Sequence, residues 1–199
     1  MISPTLSRLA AWCGVLAGLC ILVPGLVEGF AGETAPTSVA LGLSPALALP
    51  LLTALHLRQS DATCRFGAVA YTVNLVGLGL FGGAAFTLNM ALFYLDEPVV
   101  DDLLAGPTMV ALLGSALVFA LGAALFGVAT VRAGVHPRVP AVTYTLAMPL
   151  LAVAARLPDS PVTSAVHVAA GAAIAWLAVA LTAEKTSAPA AGRLAVPGA

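Results

Sequence analysis

Charge is the scarcest property of this 199-residue sequence. Only 9% of the residues are charged, whereas soluble domains carry about 25%. So few charges do not solvate the surface of a soluble globule of this length. The formal net charge of −1 and the absence of any Lys/Arg run exclude nucleic acid as a partner. A hydrophobic fraction of 60% predicts a protein whose solvent is the lipid bilayer.

Residues that hold metals, haem or disulfides are also few. The chain has three cysteines and three histidines. Cys13 and Cys20 lie seven positions apart on one apolar stretch, about 10 Å along a helix, which is too far for a disulfide. The histidines do not form the pair on facing helices that a bis-histidine haem needs. No Walker A, GxSxG or HExxH motif occurs. We therefore expect no cofactor and no metal centre.

Long apolar runs fill most of the chain, and they lack the two-residue alternation of a barrel strand. Backbone groups in hydrocarbon must bond internally, which favours helices. We predict an all-α bundle of six transmembrane helices in one membrane domain, 1–183. A Pro/Ala/Gly-rich cytoplasmic tail, 184–199, is predicted to be disordered. The predicted helices are 9–30, 38–57, 66–95, 107–132, 139–156 and 162–183.

The basic residues orient this bundle. With the N-terminus in the cytoplasm, seven of the eight basic residues fall in inner segments, and only Arg156 falls outside. Seven of the nine acids fall outside, four of them in the stretch DEPVVDD, 96–102. We predict a multi-pass protein of the bacterial plasma membrane with both termini cytoplasmic.

The first helix resembles a signal peptide, with cleavage after residue 31 as the alternative to retention. Its apolar stretch, 9–27, is longer than the 7–15 residues usual in such peptides. We therefore predict that the helix is retained.

Two sequence patterns bear on how the helices pack. The pairs Gly14/Gly18, Gly25/Gly29 and Gly79/Gly83 have the small-xxx-small spacing that brings helices close together. In addition, 50–52 and 149–151 both read Pro-Leu-Leu at an offset of 99 residues. With three spans in each half, such a repeat would be inverted, as in several transporters. Coincidence among Leu, Ala and Pro is the alternative.

Polar residues inside predicted spans are functional candidates because lipid penalises them. Glu28 lies near the outer end of the first helix, Asn89 near that of the third and His167 near that of the sixth. They share one depth, and Asp96 lies just above it. We predict that Glu28, Asn89 and His167 line an outward-facing polar pocket with Asp96 at its rim. The alternative is that Glu28 reaches the headgroups and His167 bonds a backbone carbonyl.

Arginines mark the inner end of the bundle. Those predicted to contact anionic headgroups are Arg58, Arg65, Arg132 and Arg138. Two of them bracket a tight turn within FGVATVRAGVHPRVPA, 126–141. This segment resembles one found in small Ala/Leu-rich polytopic membrane proteins of high-GC, actinobacterial-type bacteria. The resemblance implies a helix that runs into a cytoplasmic turn and a following helix, and it implies no activity.

Three functions are compatible with these features. The shortage of buried charge and of catalytic motifs favours an accessory membrane subunit that binds a membrane-protein partner or forms a homo-oligomer. The second hypothesis is a small transporter or channel that uses Glu28, Asn89 and His167. The third is an enzyme acting on a lipid or isoprenoid, with Glu28 or Asp96 as general acid and His167 as a further catalytic candidate. An enclosed cavity lined by these residues would favour the second or third hypothesis, and a filled bundle the first.

Overall fold

The fold is all-α, as predicted. The computed structural model describes residues 3–154 and 160–183, and it is 93% helix with no strand in those ranges. The predicted tail, 184–199, and the end of the fifth predicted helix lie outside the described residues. The helices are α1 Pro4–Ala31, α2 Ala35–Phe86, a π-helical turn Thr87–Ala91, a 3-10 turn Leu92–Tyr94, α3 Glu97–Leu104, α4 Pro107–Ala133, α5 Arg138–Ala154 and α6 Pro161–Ala183.

Prolines and short polar side chains set the helix starts. α1, α4 and α6 each begin at a proline, whose missing N–H costs nothing in the first turn of a helix. α2 begins with a reciprocal cap between two threonines. The Thr34 hydroxyl accepts from the N–H of Thr37 at 3.4 Å, and the Thr37 hydroxyl accepts from the N–H of Thr34 at 2.9 Å. These caps satisfy backbone donors that the helix itself leaves open.

α2 reverses direction at Cys64 and is therefore a hairpin of two antiparallel arms, 35–63 and 65–86. Cys64 has φ 49° and ψ −143°, outside the helical region. The hydroxyl oxygens of Thr53 and Tyr71 lie 3.1 Å apart. Along a straight helix these two residues would be about 27 Å apart. The rings of His56 and Tyr71 also stack at 4.1 Å between centroids. The second and third predicted helices are thus joined without an intervening loop.

The third predicted helix, 66–95, does not stay α-helical to its end. The α-helix ends at Phe86, and the chain continues through the π-helical and 3-10 turns to Tyr94. α3 then begins at Glu97. Pro98 fits the first turn of that helix, since proline lacks an N–H that the first turn would leave unbonded. The acidic stretch 96–102 therefore lies largely on a short exposed helix.

Four elements are long and apolar enough to cross a membrane. They are α1, the 60-residue unit Ala35–Tyr94, α4 and α6, while α5 is apolar but shorter. Large apolar side chains such as Trp12, Phe30, Val110 and Val162 are exposed. An apolar exterior of this kind suits lipid rather than water. These features support the predicted class of helical membrane protein.

The helices close into a ring. α1 packs against α6 and α2, α4 packs against α2 and α5, and α5 packs against α6. The centre of the ring is filled by apolar side chains that include Leu51, Phe126 and Leu177. One polar pair crosses it, because the Asn74 amide nitrogen donates to the Tyr144 hydroxyl at 3.0 Å.

Glycines allow the closest approaches in this ring. A Cβ on Gly18 would stand 2.6 Å from the carbonyl oxygen of Gly171, and a Cβ on Gly171 would stand 2.5 Å from that of Gly18. Both distances are below van der Waals contact, so α1 and α6 cross at this pair. Gly122 plays the same part between α4 and the second arm of α2, where its Cβ would meet the backbone of Asn74. At the pair Gly79/Gly83, in contrast, no other helix of the described residues comes within 4 Å of either Cβ position, so the predicted helix contact is absent from that part of the chain.

The loop between α4 and α5 buries a histidine. His136 is 5% exposed, and its Nε2 lies 3.5 Å from the carbonyl oxygen of Leu55. Burial, with the nearby charge of Arg58 adding to it, lowers the pKa of His136 below the ordinary value of 6.5. The folded chain therefore holds this ring neutral at pH values where the unfolded chain binds a proton.

We expect the stability of the wild-type protein to fall as pH drops below 6.5, by at most about 1.4 kcal/mol per pH unit from this group. The variant His136→Gln cannot titrate and should lose that part of the pH dependence. Thermal unfolding of the detergent-solubilised proteins between pH 7.5 and 5 measures the difference. Equal slopes for wild type and variant would show that His136 does not couple protonation to unfolding.

Candidate functional site

A cavity of about 380 Å³ lies at one end of the bundle. Its walls come from the second half of α1 and the loop that follows it, from the first arm of α2, and from the end of the second arm with the turns after it. α3 and the adjoining parts of α4, α5 and α6 complete the wall. This end is opposite the Cys64 reversal and the loop at His136. The polar side chains that line the cavity are Glu28, Glu33, Ser44, Asn89, Thr163 and His167. Most of the remaining wall is apolar.

Glu28 and His167 line the cavity where α1 meets α6. Gly25 packs directly against the Cβ of His167. Glu28 follows Gly25 by three residues and so shares its face of α1. The Glu28 side chain is 9% exposed and makes polar interactions within the fold. Because Gly25 has no side chain, α1 leaves room for His167, and the histidine and the Glu28 carboxylate can both line the cavity.

The hydrogen bond of His167 determines its tautomer. His167 Nδ1 lies 2.9 Å from the carbonyl oxygen of Thr163, one turn earlier on α6. A carbonyl only accepts, so Nδ1 carries the proton. In the neutral ring, Nε2 is then an acceptor. His167 does bond a backbone carbonyl, as the alternative in the sequence analysis held, and it lines the cavity as well.

Asn89 reaches the cavity from the π-helical turn Thr87–Ala91. One N–H of its amide donates to the carbonyl of Ala85 at 2.8 Å. That bond fixes the orientation of the amide and leaves Oδ1 and one N–H available. Short π-helical turns occur frequently at functional sites, because the extra residue redirects the side chains that follow. Here Leu88, Leu92 and Phe93 also line the cavity.

The structure adds Glu33 and Ser44, which the sequence analysis did not assign to the site. Glu33 lies in the loop between α1 and α2, where its Oε1 accepts from the Ser38 hydroxyl at 2.6 Å. Ser44 lies on the first arm of α2 and donates to the carbonyl of Leu41 at 2.9 Å. Glu33 lies outside the predicted helices, so the search for polar residues within spans did not select it. The sequence does show that it is an acidic residue five positions after Glu28.

Asp96 is placed differently from the other predicted pocket residues. It is exposed, it precedes the first residue of α3, and it is not among the residues that line the cavity. Val100, which lies one turn further along on α3, does line the cavity. The structure therefore brings Glu28, Asn89 and His167 to one cavity and leaves Asp96 in solvent.

The four predicted headgroup arginines lie at the opposite end of the bundle. Arg65 follows the Cys64 reversal, and Arg132 and Arg138 flank the turn between α4 and α5. These three are exposed, and Arg132 lies over the ring of Phe66 at 5.8 Å. Arg58 is half-buried and donates to the carbonyl of Leu181 at 3.0 Å, in the last turn of α6. Arg58 thus helps to cap a helix end.

No protein-family model, curated protein or solved structure matches this chain. The site must therefore be interpreted from its own residues. Among residues 3–154 and 160–183, no group of three His, Cys, Asp or Glu side chains is arranged to hold a metal ion. The cavity is instead suited to a small organic molecule, because its apolar walls carry a few polar groups in fixed orientations.

Proposed function

We propose that this protein is a small membrane transporter whose cavity takes a solute from the acid-rich side of the membrane. The observation that carries the proposal is that Glu28, Asn89 and His167, from three separate helical segments, line one cavity. Polar and ionisable groups at membrane depth are expensive and are retained mainly where they face a binding site or pathway. A cavity at the end of a helical bundle is a usual place for such a site.

The membrane arrangement that goes with this function has six crossings and both termini in the cytoplasm. The two antiparallel arms of α2 support two crossings for the 60-residue unit Ala35–Tyr94. α5, which is apolar but shorter than the others, would provide one of the remaining four crossings. The seven-to-one distribution of basic residues supports the orientation. The cavity then opens on the outer side of a bacterial plasma membrane. Three long segments precede α3 and three follow it, which is the arrangement that the inverted repeat requires.

The other two functions have less support. An accessory subunit or homo-oligomer needs only an exposed interface and gives no reason for three polar residues to share a cavity. For an enzyme acting on a lipid or isoprenoid, Glu28 remains available as general acid, whereas Asp96 does not line the cavity. His167 remains the other catalytic candidate, because its bond to the Thr163 carbonyl engages Nδ1 and leaves Nε2 to react. The sequence, however, has no catalytic motif that supports an enzyme.

Filling the cavity tests this proposal. Liposomes containing the purified protein are incubated with a bacterial metabolite extract, washed and analysed by mass spectrometry. Ala85 lines the cavity, so a larger side chain there should occupy the space of the solute. For at least one solute that the wild type accumulates, we expect Ala85→Trp to reduce the retained amount by tenfold or more. Ala116 lines the cavity from α4, and Ala116→Phe provides a second cavity-filling variant.

The matched control is Ala165→Trp, which places the same side chain on an exposed position of α6 outside the cavity. It should accumulate the same solutes as the wild type. Identical solute profiles for the wild type, both cavity-filling variants and empty liposomes would rule out transport through this cavity. Each variant is compared only after it elutes as a single species from size exclusion.

A further inference from the structure

We infer that the solute is a protonated amine with N–H donors at one end and an apolar body. This inference rests on the transport function proposed above and specifies the ligand of the same cavity. It depends on which hydrogen-bonding groups the cavity wall still offers after its internal bonds are counted.

Among residues 3–154 and 160–183, the polar side chains of the cavity wall offer mainly acceptors. The hydroxyl protons of Ser44 and Thr163 are donated to backbone carbonyls, at 2.9 and 2.8 Å. His167 donates its Nδ1 proton to the carbonyl of Thr163 at 2.9 Å, and in the neutral form of the ring Nε2 is therefore an acceptor. Of the side chains that line the cavity in the described ranges, Asn89 keeps one amide N–H as a donor.

The two carboxylates extend this excess of acceptors. A carboxylate has about four lone-pair sites, so a group that already has one partner still accepts further bonds. Glu33 accepts from Ser38 at 2.6 Å through Oε1, and Glu28 makes polar interactions of its own. A ligand that brings several N–H donors satisfies such a wall, whereas a carboxylate or phosphate ligand would leave acceptors facing acceptors.

The apolar wall specifies the rest of the ligand. Phe81, Leu88, Leu92 and Phe93 line the cavity along the end of the second arm and the turns that follow it. Aromatic faces also attract cations. A compact inorganic cation does not use these contacts, and no group of three metal-ligating side chains is present in the described residues. The ligand that uses both walls is an ammonium group on an apolar body.

Titration calorimetry of the wild-type protein in lipid nanodiscs tests the inference with three probes of similar shape. These are 2-phenylethylamine, the neutral 2-phenylethanol and the anionic 3-phenylpropionate, with empty nanodiscs subtracted. We expect the amine to bind at least tenfold more tightly than the alcohol, because a charge-assisted hydrogen bond is stronger than a neutral one. The anion should not bind measurably.

Glu28→Gln keeps the size of the side chain and removes its charge. It should weaken amine binding by roughly tenfold and leave alcohol binding unchanged. Glu33→Gln, at an exposed loop position, should weaken amine binding by a smaller factor and provides a second variant if the first does not fold. An unchanged amine affinity in both variants would overturn the inference.

The outcomes also separate this inference from the transport function. Tighter binding of the alcohol or the anion than of the amine, or accumulation of only anionic solutes in liposomes, would refute the amine while the transporter stands. Charge-dependent amine binding without any cavity-dependent accumulation would support the ligand class and refute transport. Failure of all three probes to bind the wild type would overturn the amine inference directly.

Discussion

Leucine in place of Gly171 is expected to separate α1 from α6 and to leave little folded protein. A Cβ at Gly171 would stand 2.5 Å from the Gly18 carbonyl oxygen and 2.7 Å from the Leu22 nitrogen. Both are backbone atoms and cannot rotate away. Even Gly171→Ala should lower the free energy of unfolding by roughly 1–3 kcal/mol, the usual cost of overpacking, and Gly171→Leu should exceed that. Size-exclusion recovery and thermal unfolding in detergent measure both effects.

Gly79 supplies the matched control on the other side of the bundle. Gly79 lies within the second arm of α2, and no other helix of the described residues comes within 4 Å of a Cβ placed there. Gly79→Ala should therefore keep the protein folded and raise its stability by up to about 1 kcal/mol, because alanine is the better helix former. Equal losses in Gly79→Ala and Gly171→Ala would show that glycine content, and not the crossing of α1 and α6, sets the stability.

These two glycines show what spacing in a sequence does and does not determine. Gly14/Gly18 and Gly79/Gly83 have the same four-residue spacing, yet only the first pair meets another helix. Spacing places both members of a pair on one face of their helix. Which face turns inward depends on the rest of the ring. Gly171, which packs directly against Gly18, belongs to none of the three predicted pairs, so the spacing rule did not identify it.

The helical class followed from hydropathy alone. Residue counting placed Glu28, Asn89 and His167 at one level, and the fold places all three on one cavity. Convergence at that level could not be derived from counting, because it requires the order of helices around the ring. That order is set by contacts such as Gly25 against His167, which join residues far apart in the chain.

Two local features could not be derived from the sequence. The reversal at Cys64 uses a positive φ at a residue that rarely adopts one, so composition predicts an ordinary loop there. The π-helical turn at 87–91 contains no proline or glycine that would signal a break. That turn directs Asn89, Leu92 and Phe93, so the detailed shape of the cavity was also beyond prediction.

The account depends most directly on the cavity being open to water from the outer side. Cysteine accessibility measures this in a background that carries Cys13→Ala, Cys20→Ala and Cys64→Gly. Ala84 lines the cavity and is half-buried, so Ala84→Cys presents a small thiol to it. A thiol ionises and reacts only where water reaches it. A charged, membrane-impermeant methanethiosulfonate is added outside right-side-out vesicles, and modification is followed by intact mass.

Two control positions bracket the result. Ala123 is fully buried in the core at 0% exposure, and Leu121 is 57% exposed on the outer surface of α4, which we expect to face lipid. We expect Ala84→Cys to be modified at least 100-fold faster than Ala123→Cys or Leu121→Cys, since neither control thiol meets water. Modification of Ala84→Cys at the rate of the two controls, or only after the vesicles are opened, would contradict an outward-facing cavity and the transport function built on it.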